Sequence, residues 1–177
     1  MAFDQSTIEN TLHAIIASVS GKTVIWLDQN GPRPAKPYIG LRLNSLVSVG
    51  VDAVLPPDSV TGYANIVGNR EFTLYTTYYG VNGMGVLETV SSSFCKLAVQ
   101  QLMQSAGLVF VDSFGVMNIT ELLDMQYEQR SSLDILLRTS SVEIDQNIGV
   151  IETVNLHKVF KKDNVEVYTK DESITIS

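Results

Sequence analysis

The chain has 177 residues, of which 45% are apolar and 18% charged, and it carries a formal net charge of -7. This length supports one domain with a hydrophobic core, and the composition is that of a globular protein rather than a disordered one. The negative charge disfavours binding to a phosphate backbone, the single cysteine Cys95 excludes an intramolecular disulfide, and no apolar run reaches the roughly 18–20 residues of a membrane-spanning helix.

The first predicted element is a helix that begins near Ser6 and ends at Gly21. Ser6 and Glu9 match a capping box, in which each side chain accepts a hydrogen bond from a backbone amide of the first turn. The apolar residues of the segment fall on one helical face: Ile8, Leu12, Ile15, Ile16 and Val19. Gly21 is a typical C-terminal stop, because glycine adopts a left-handed conformation without strain.

A short strand, Thr23–Leu27, precedes an irregular loop over Asp28–Pro37. Three prolines within six residues make this loop stiff and exclude a central strand, because proline fixes φ and lacks a backbone donor. From Tyr38 the apolar residues alternate again, which predicts a half-buried strand. A second loop is predicted over Gly50–Ser59, where two adjacent prolines occur.

Glu71–Tyr79 has the strongest strand pattern in the chain, because nearly every residue is β-branched or aromatic. A glycine-rich turn at Gly80–Gly83 leads into a second amphipathic helix, which ends at Gly107. Its predicted inward face is Leu87, Val90, Phe94, Leu97 and Ala98. Cys95 falls within this helix, where a small buried thiol is the expected role.

The remaining segments are mostly strands. Leu108–Val116 is predicted as a strand, Asn118–Asp124 as a short helix or turn, and Tyr127–Thr139 as a long strand. Ile148–Leu156 is expected to pair back as a hairpin, and Lys158–Ser177 as an extended tail with weak alternation.

These elements predict an α+β fold, in which two main helices cover one face of a mostly antiparallel sheet. The predicted organisation is one domain over residues 1–157, followed by a C-terminal extension over residues 158–177.

We found no pattern that indicates catalysis, a cofactor or a metal. The glycine-rich turn lacks the spacing and the Gly-Lys-Ser/Thr of a phosphate loop, and neither of the two histidines stands near a serine in a nucleophile motif. The carboxylates of Glu121, Asp124 and Glu128 are expected to form a solvated acidic edge. The sequence therefore predicts a protein without catalytic, cofactor-binding or metal-ligating residues.

Bulky aromatic and guanidinium groups on stiff loops and strand surfaces indicate contacts between protein subunits, because such residues are enriched at interfaces. The candidates of this kind are Trp26, Arg33, Tyr38, Arg70 and Arg130. Glu128 is a further candidate, because it shares a strand face with Arg130 and could pair with it across a subunit boundary. A purely local interpretation is equally open. In that interpretation Trp26 belongs to the core, Arg70 pairs with Glu71, and Arg130 pairs with Glu128.

Four motifs in order resemble the phage neck terminator family. The segment from Trp26 to Tyr38 resembles the family's W-x-x-Q-N-x-P-R-P-x-x-P-Y signature. The further matches follow in the expected order: Gly68–Leu74 before Tyr79-Gly80, then Leu122–Asp124 with Tyr127–Asp134, then Gly149–Val154. The resemblance covers residues 5–156, and residues 158–177 depart from the pattern.

The resemblance implies a structural virion protein, a ring that is usually hexameric at the head-proximal end of the tail. Its partners would be copies of itself, tail-tube and sheath proteins, and head–tail connector proteins, and DNA would pass through the lumen without specific binding. No cofactor and no membrane are implied. The expected location is the neck of the virion, after assembly in the host cytoplasm.

Two alternatives remain open at this stage. The first is another head–tail connector or tail-completion ring of the same neck. The second, from a different class, is a small soluble enzyme or ligand-binding domain. The C-terminal segment could also add a strand to the exposed sheet edge of a neighbouring copy.

Overall fold

The structure is a computed structural model that describes residues 4–58, 60–123, 125–146, 153–162 and 165–175. Contacts divide the chain into a larger unit, Met1–Leu55 with Ile66–Glu143, and a smaller unit, Pro56–Asn65 with Ile144–Ser177. The division of the sequence at residue 157 stays a prediction.

Helix α1 spans Gln5–Ser20 and buries Ile8, Leu12, Ile15 and Ile16 of the predicted apolar face, whereas Val19 is half-buried. The predicted capping box is wrong. Asp4 caps the helix by accepting a hydrogen bond from the Thr7 amide at 3.2 Å, and Ser6 lies inside the first turn, where its hydroxyl donates to Asp4. A carboxylate at this position also interacts favourably with the helix dipole. Gly21 ends the helix at a φ of 59°, as predicted.

Six strands form one sheet: β1 (Thr23–Trp26), β2 (Tyr38–Val54), β3 (Ala64–Tyr79), β4 (Leu108–Ser113), β5 (Met117–Asn118) and β8 (Arg130–Asp145). Most of this sheet belongs to the larger unit, and its main order is β1-β2-β3-β8-β4, with β5 paired to β8. Strand β1 pairs with β2 in parallel, whereas the β2–β3, β4–β8 and β5–β8 pairs are antiparallel. The α+β class with a mostly antiparallel sheet is confirmed.

Strands β2 and β3 are longer than predicted, and the predicted loop over Gly50–Ser59 is wrong in its first half. Strand β2 continues to Val54, and its ladder with β3 extends to the pair Val54 and Ile66. Two register shifts in β2 accommodate Ser45 and Gly50, which have φ values of 53° and 77°. A bulge of this kind absorbs an irregular residue without ending the ladder.

The second predicted helix is two helices, α2 (Gly83–Ser93) and α3 (Leu97–Ser105). Lys96 is extended, with φ -75° and ψ 135°, and it interrupts the helical backbone. A different set of side chains therefore faces the core after Lys96. As a result Val99 and Met103 are buried, whereas Leu97 and Ala98 are exposed rather than inward. Cys95 lies in the turn between the helices and is exposed, which corrects the expectation of a buried thiol.

The segment predicted as a short helix or turn after β5 is extended. Glu121–Leu123 forms β6, which pairs antiparallel with β7, Gln126–Glu128. The long strand predicted from Tyr127 is interrupted at Gln129, which separates β7 from β8. A short hairpin, β6–β7, therefore stands where a helix or turn and the start of a long strand were expected.

The core lies between the three helices and one face of the sheet. Strand β8 contributes Leu133, Ile135 and Leu137, which are all buried, as their alternation predicted. The other strands contribute Val24, Ile39, Leu41, Phe72, Leu74 and Tyr78, and the helices contribute Ile8, Leu12, Ile15, Ile16, Leu87, Val90, Val99 and Met103. Removal of this apolar surface from water is the main driving force for folding of the unit.

The smaller unit contains strands β9, Thr153–Lys162, and β10, Val165–Thr175, which pair antiparallel over most of their length. The segment predicted as an extended tail is therefore mostly a hairpin. The hairpin partner predicted over Ile148–Leu156 lies partly outside the described residues, as does the motif Gly149–Val154.

Alanine substitutions at two glycines of α2 test the packing of this helix on the sheet. A Cβ at Gly83 would lie 2.7 Å from the Ser131 hydroxyl and 2.8 Å from Tyr78 Cδ1, whereas a Cβ at Gly85 would meet only the Asn82 side chain at 3.5 Å. We expect Gly83→Ala to lower the free energy of unfolding by about 1–3 kcal/mol through overpacking. Gly85→Ala should raise it by up to about 1 kcal/mol.

Urea denaturation of both variants measures these changes. Equal stability of the two alanine variants would contradict the close approach of α2 to the sheet.

Candidate functional site

Two stacked tyrosines mark the end of the sheet where β2 begins and β3 ends. Tyr38 and Tyr79 are register partners, and their ring centroids are 4.6 Å apart with an interplanar angle of 16°. Both side chains are buried. Tyr78 faces the helices as part of the core, and successive strand residues point to opposite faces, so the Tyr38–Tyr79 stack lies on the sheet face away from the helices.

Arg130 covers this stack at the start of β8. Its Cζ lies 5.3 Å from the centroid of the Tyr79 ring, within the range of a cation–π contact. The guanidinium donates to Glu128 through Nε and Nη2, and its Nη1 donates to Glu121 Oε2 at 2.7 Å. Only 17% of the Arg130 side chain is exposed, so most of this charge is satisfied by protein groups.

Glu128 joins Arg130 to the proline-rich loop, because its second carboxylate oxygen forms an ion pair with Lys36. The Glu128 side chain is 11% exposed. The hydrogen bond from Lys36, followed by that from Arg130, holds the pKa of Glu128 below its ordinary value despite burial. Burial lowers the pKa of Arg130, but the hydrogen bond and charge of Glu128 outweigh this, and the net shift is upward.

We call this group the arginine cluster; its members are Lys36, Tyr38, Tyr79, Glu121, Glu128 and Arg130. It connects the proline-rich loop, the β6–β7 hairpin and the sheet. Burial raises the pKa of Tyr79, and the charge of Arg33 is one of the influences that oppose the rise. Arg33 of the proline-rich loop is itself exposed.

The β6–β7 hairpin carries large apolar side chains that solvent reaches. Leu122 and Tyr127 are cross-strand partners that are 60% and 75% exposed, and Met125 is 96% exposed. A hairpin with three residues in each strand is marginal by itself. Arg130 and Lys36 anchor it through Glu121 and Glu128, and it presents an apolar patch of the kind that marks a protein–protein contact.

A cavity of about 420 Å³ lies beside the cluster, bordered by the proline-rich loop, the end of β3 and β7. Pro37, Val81 and Tyr127 supply apolar surface there, and Glu128 and Lys36 supply charge. The Gly80 amide donates to the Gln129 carbonyl at 3.1 Å. This bond links the residue that follows β3 to the residue that precedes β8.

Three of the six predicted interface residues, Tyr38, Glu128 and Arg130, come together in the arginine cluster. Arg33 is exposed on the proline-rich loop. The other two, Trp26 and Arg70, lie elsewhere. Trp26 ends β1 and packs partly against the core. Whether any of these residues contacts another subunit stays a prediction.

The ion pairs of the sheet differ from the local pairs that the sequence suggested. Arg70 does not pair with Glu71; its Nη2 donates to Asp52 Oδ2 at 2.6 Å. Both residues lie on the arm of the sheet, by which we mean Val47–Val54 of β2 paired with Ile66–Glu71 of β3. Glu71 instead forms an ion pair with Arg138 of β8. The Arg130–Glu128 pair is present.

The expected acidic edge is wrong for Glu128, because this carboxylate is mostly buried and paired with two cations. Glu121 is exposed but also paired with Arg130, and Asp124 lies outside the described residues. Within the described ranges, no group of three or more His, Cys, Asp and Glu side chains is placed to hold a metal. In the same ranges no helix combines the length and the apolar character needed to cross a bilayer.

Sequence reasoning missed Lys36, Tyr79 and Glu121 as members of the cluster. The neighbourhood of Tyr79 and Tyr38 follows only from the β2–β3 register. The apolar positions of β6 and β7 were visible in the sequence, but their exposure depends on the interruption at Gln129.

Comparison with models of protein families shows that residues 6–163 match the family described as phage neck terminator protein. A search of curated proteins finds no match.

The first prediction from the cluster concerns stability. We expect Glu128→Gln to lower the free energy of unfolding by about 1–2 kcal/mol, because it leaves Arg130 largely buried without its main carboxylate. Asp28→Asn is the matched control, since Asp28 is 67% exposed in its pair with Arg42 and such exposed pairs contribute little. Urea denaturation of the subunits measures both; equal effects would contradict the buried character of the cluster.

A second prediction concerns pH. The pKa of Glu128 is lowered in the folded protein from its ordinary value of 4.5, so its ionised form stabilises the fold above that pH, and this contribution is lost as the pH falls through the folded-state pKa. The stability difference between the natural protein and Glu128→Gln should therefore be full at pH 7 and shrink below pH 4.5. A pH series of urea denaturation curves measures it, and a difference that stays constant into strong acid would refute the linkage.

Proposed function

Because this chain belongs to the phage neck terminator family, we propose that copies of it close into a ring at the head-proximal end of the phage tail. The ring ends polymerisation of the tail tube or sheath and joins the tail to the head connector. The family is structural, and the proposal gives the chain no catalytic step.

The observation that best supports this proposal is the anchored apolar hairpin. Leu122, Met125 and Tyr127 expose apolar surface to water, which is unfavourable. Burial of this surface against another protein is favourable. The anchors Arg130 and Lys36 fix the hairpin before assembly, so little conformational entropy is lost on docking. A preorganised and exposed apolar surface favours a subunit that assembles with other proteins over one that stays monomeric.

The proposed number of copies is six, by analogy with the rings that this resemblance implies. A closed ring repeats one heterologous contact by rotation, so each subunit needs two different and complementary surfaces. The proposed partners outside the ring are tail-tube and sheath proteins on one side and connector proteins on the other.

DNA is proposed to pass through the lumen without specific binding. The net charge of -7 per chain means that a ring of copies repels the phosphate backbone as a whole. The absence of binding to the wall is an advantage for a conduit, because the genome must move through it.

The sheet edge offers a further contact between copies. Strand β4 ends the main path of the larger sheet, and it exposes Val109 and Val111. We propose that the β9–β10 hairpin of a neighbouring copy adds to this edge through main-chain hydrogen bonds. This places the C-terminal residues in the ring contact.

The proposed function predicts discrete closed rings in solution and an effect on tube growth. Native mass spectrometry and negative-stain images of the purified chain should give one ring size with a central hole. Addition of these rings to polymerising tail-tube subunits should shorten the tubes in proportion to the rings added. A chain that stays monomeric at every concentration contradicts the ring, and rings that leave tube length unchanged favour the connector alternative over the terminator.

A further inference from the structure

Asp134 of β8 carries a carboxylate that is partly removed from water and incompletely paired. Its Oδ1 is buried and has no hydrogen-bond partner among the described residues, and Arg138, further along β8, is already paired with Glu71. Burial raises the pKa of the Asp134 carboxyl group. The side chain is half-buried rather than enclosed, so a group from another molecule can reach it. Because a desolvated carboxylate without a partner is costly, a cation from outside the subunit would stabilise it.

Asp134 lies on the sheet face away from the helices, which we call the outer face. Its neighbours in β8, Leu133 and Ile135, belong to the core under the helices, and successive strand residues point to opposite faces. The carboxylate is therefore presented to the surroundings of the subunit and not to its own core.

Exposed apolar side chains flank Asp134 on the outer face. Ser132 and Arg138 share this face with Asp134 by alternation along β8. Met117 is the register partner of Ser132, and Val109 is that of Arg138, and directly opposed residues of antiparallel strands lie on the same face. Val109 and Met117 are both 55% exposed. We call Val109, Met117 and Asp134 the Asp134 patch; it combines an acid that lacks a partner with apolar surface.

Arg33 is a cation that the subunit leaves available. It is exposed and forms no ion pair with the residues that the structure describes. It stands between Pro32 and Pro34, which have fixed φ angles, and Lys36 of the same loop is tied to the mostly buried Glu128. A guanidinium on such a stiff, attached loop loses little freedom on docking, and its planar geometry suits a carboxylate.

The two groups belong to opposite sides of the sheet. The proline-rich loop joins the edge strand β1 to β2, whereas Asp134 lies on β8, next to the edge strand β4. A heterologous contact requires this arrangement, because one side of a copy then meets the other side of the next. Charge favours the same pairing, since copies with net charge -7 repel each other unless opposite charges meet at the contact.

We propose that Arg33 of one copy pairs with Asp134 of the next copy, and that Val109 and Met117 pack around this pair. The inference rests on the proposed ring and identifies one contact within it. The contact has a direction, so repetition by rotation leaves every Arg33 and every Asp134 paired once the ring closes. It uses the outer face of the sheet and leaves the main chain of the β4 edge free for the strand addition proposed above.

Neutral substitutions test the pair without forcing a new charge into the structure. Arg33→Gln and Asp134→Asn should each raise the concentration at which half of the chains are in rings by about tenfold or more. Lys96→Gln and Glu88→Gln are the matched controls, because they make the same two changes of net charge at exposed positions of the helix layer. The controls should assemble like the natural chain in sedimentation velocity over a concentration series.

The double variant, Arg33→Gln with Asp134→Asn, tests whether the two residues contact each other. If they are paired, the second substitution removes nothing further, so the double variant should assemble as well as either single variant. Exchange of the two charges, Arg33→Asp with Asp134→Arg, should restore the rings that each of these reversals alone abolishes.

Asp134→Asn should have opposite effects on the subunit and on the ring. The substitution removes a desolvated charge, so the urea midpoint should rise at concentrations where the chain is dissociated, although assembly is weakened. A purely structural role of Asp134 would lower the midpoint and the ring fraction together, and that result would contradict the inference.

Losses that multiply in the double variant overturn the inference, because the two residues then act at separate contacts. Rings that neither neutral substitution weakens overturn it as well. Both results leave the ring itself intact, whereas a natural chain that forms no ring contradicts the proposed function directly.

Discussion

The larger unit depends at one end on a single constraint: the guanidinium of Arg130 is mostly removed from water and has to be paired. Glu128 and Glu121 supply the pairing, and Lys36 balances the remaining charge of Glu128. These bonds fix a short hairpin and a proline-rich loop to the end of a sheet. The hairpin in turn can carry exposed apolar side chains without collapsing onto the subunit, and this is what makes it suitable for contact with another protein.

The sequence predicted the elements whose pattern is local. The apolar period of α1, its stop at Gly21 and the alternation along Leu133–Leu137 all depend on neighbouring residues alone, and the structure confirms them. The predictions failed where the backbone conformation of one residue, or pairing with a strand distant in sequence, determines the local structure. The extended backbone of Lys96 divides the second helix, and pairing with β3 carries β2 past Gly50 despite its left-handed conformation. Propensity could not foresee the length of β2, because its pairing with β3 is a tertiary interaction.

The candidate site was predicted in part for the same reason. Residue type singled out Tyr38 and Arg130, because aromatic and guanidinium groups are enriched at interfaces, and Glu128 was singled out as a partner for Arg130 on the same strand face. The same criterion selected Arg70, whose role in the structure is an ion pair with Asp52 on the distant arm of the sheet. Only the register of β2 and β3 brings Tyr79 beside Tyr38. Membership of the family was accessible from the sequence, because ordered short motifs do not require the fold to be known.

The central claim is that the anchored hairpin is a contact surface between copies. Hydrogen–deuterium exchange, compared between dilute subunits and the assembled ring, tests it most directly. The account predicts that assembly slows exchange at Gln126–Glu128, while the core strands, already protected, change little. Exchange in this segment that is as fast in the ring as in the free subunit would contradict the account, because the hairpin would then not be covered by assembly.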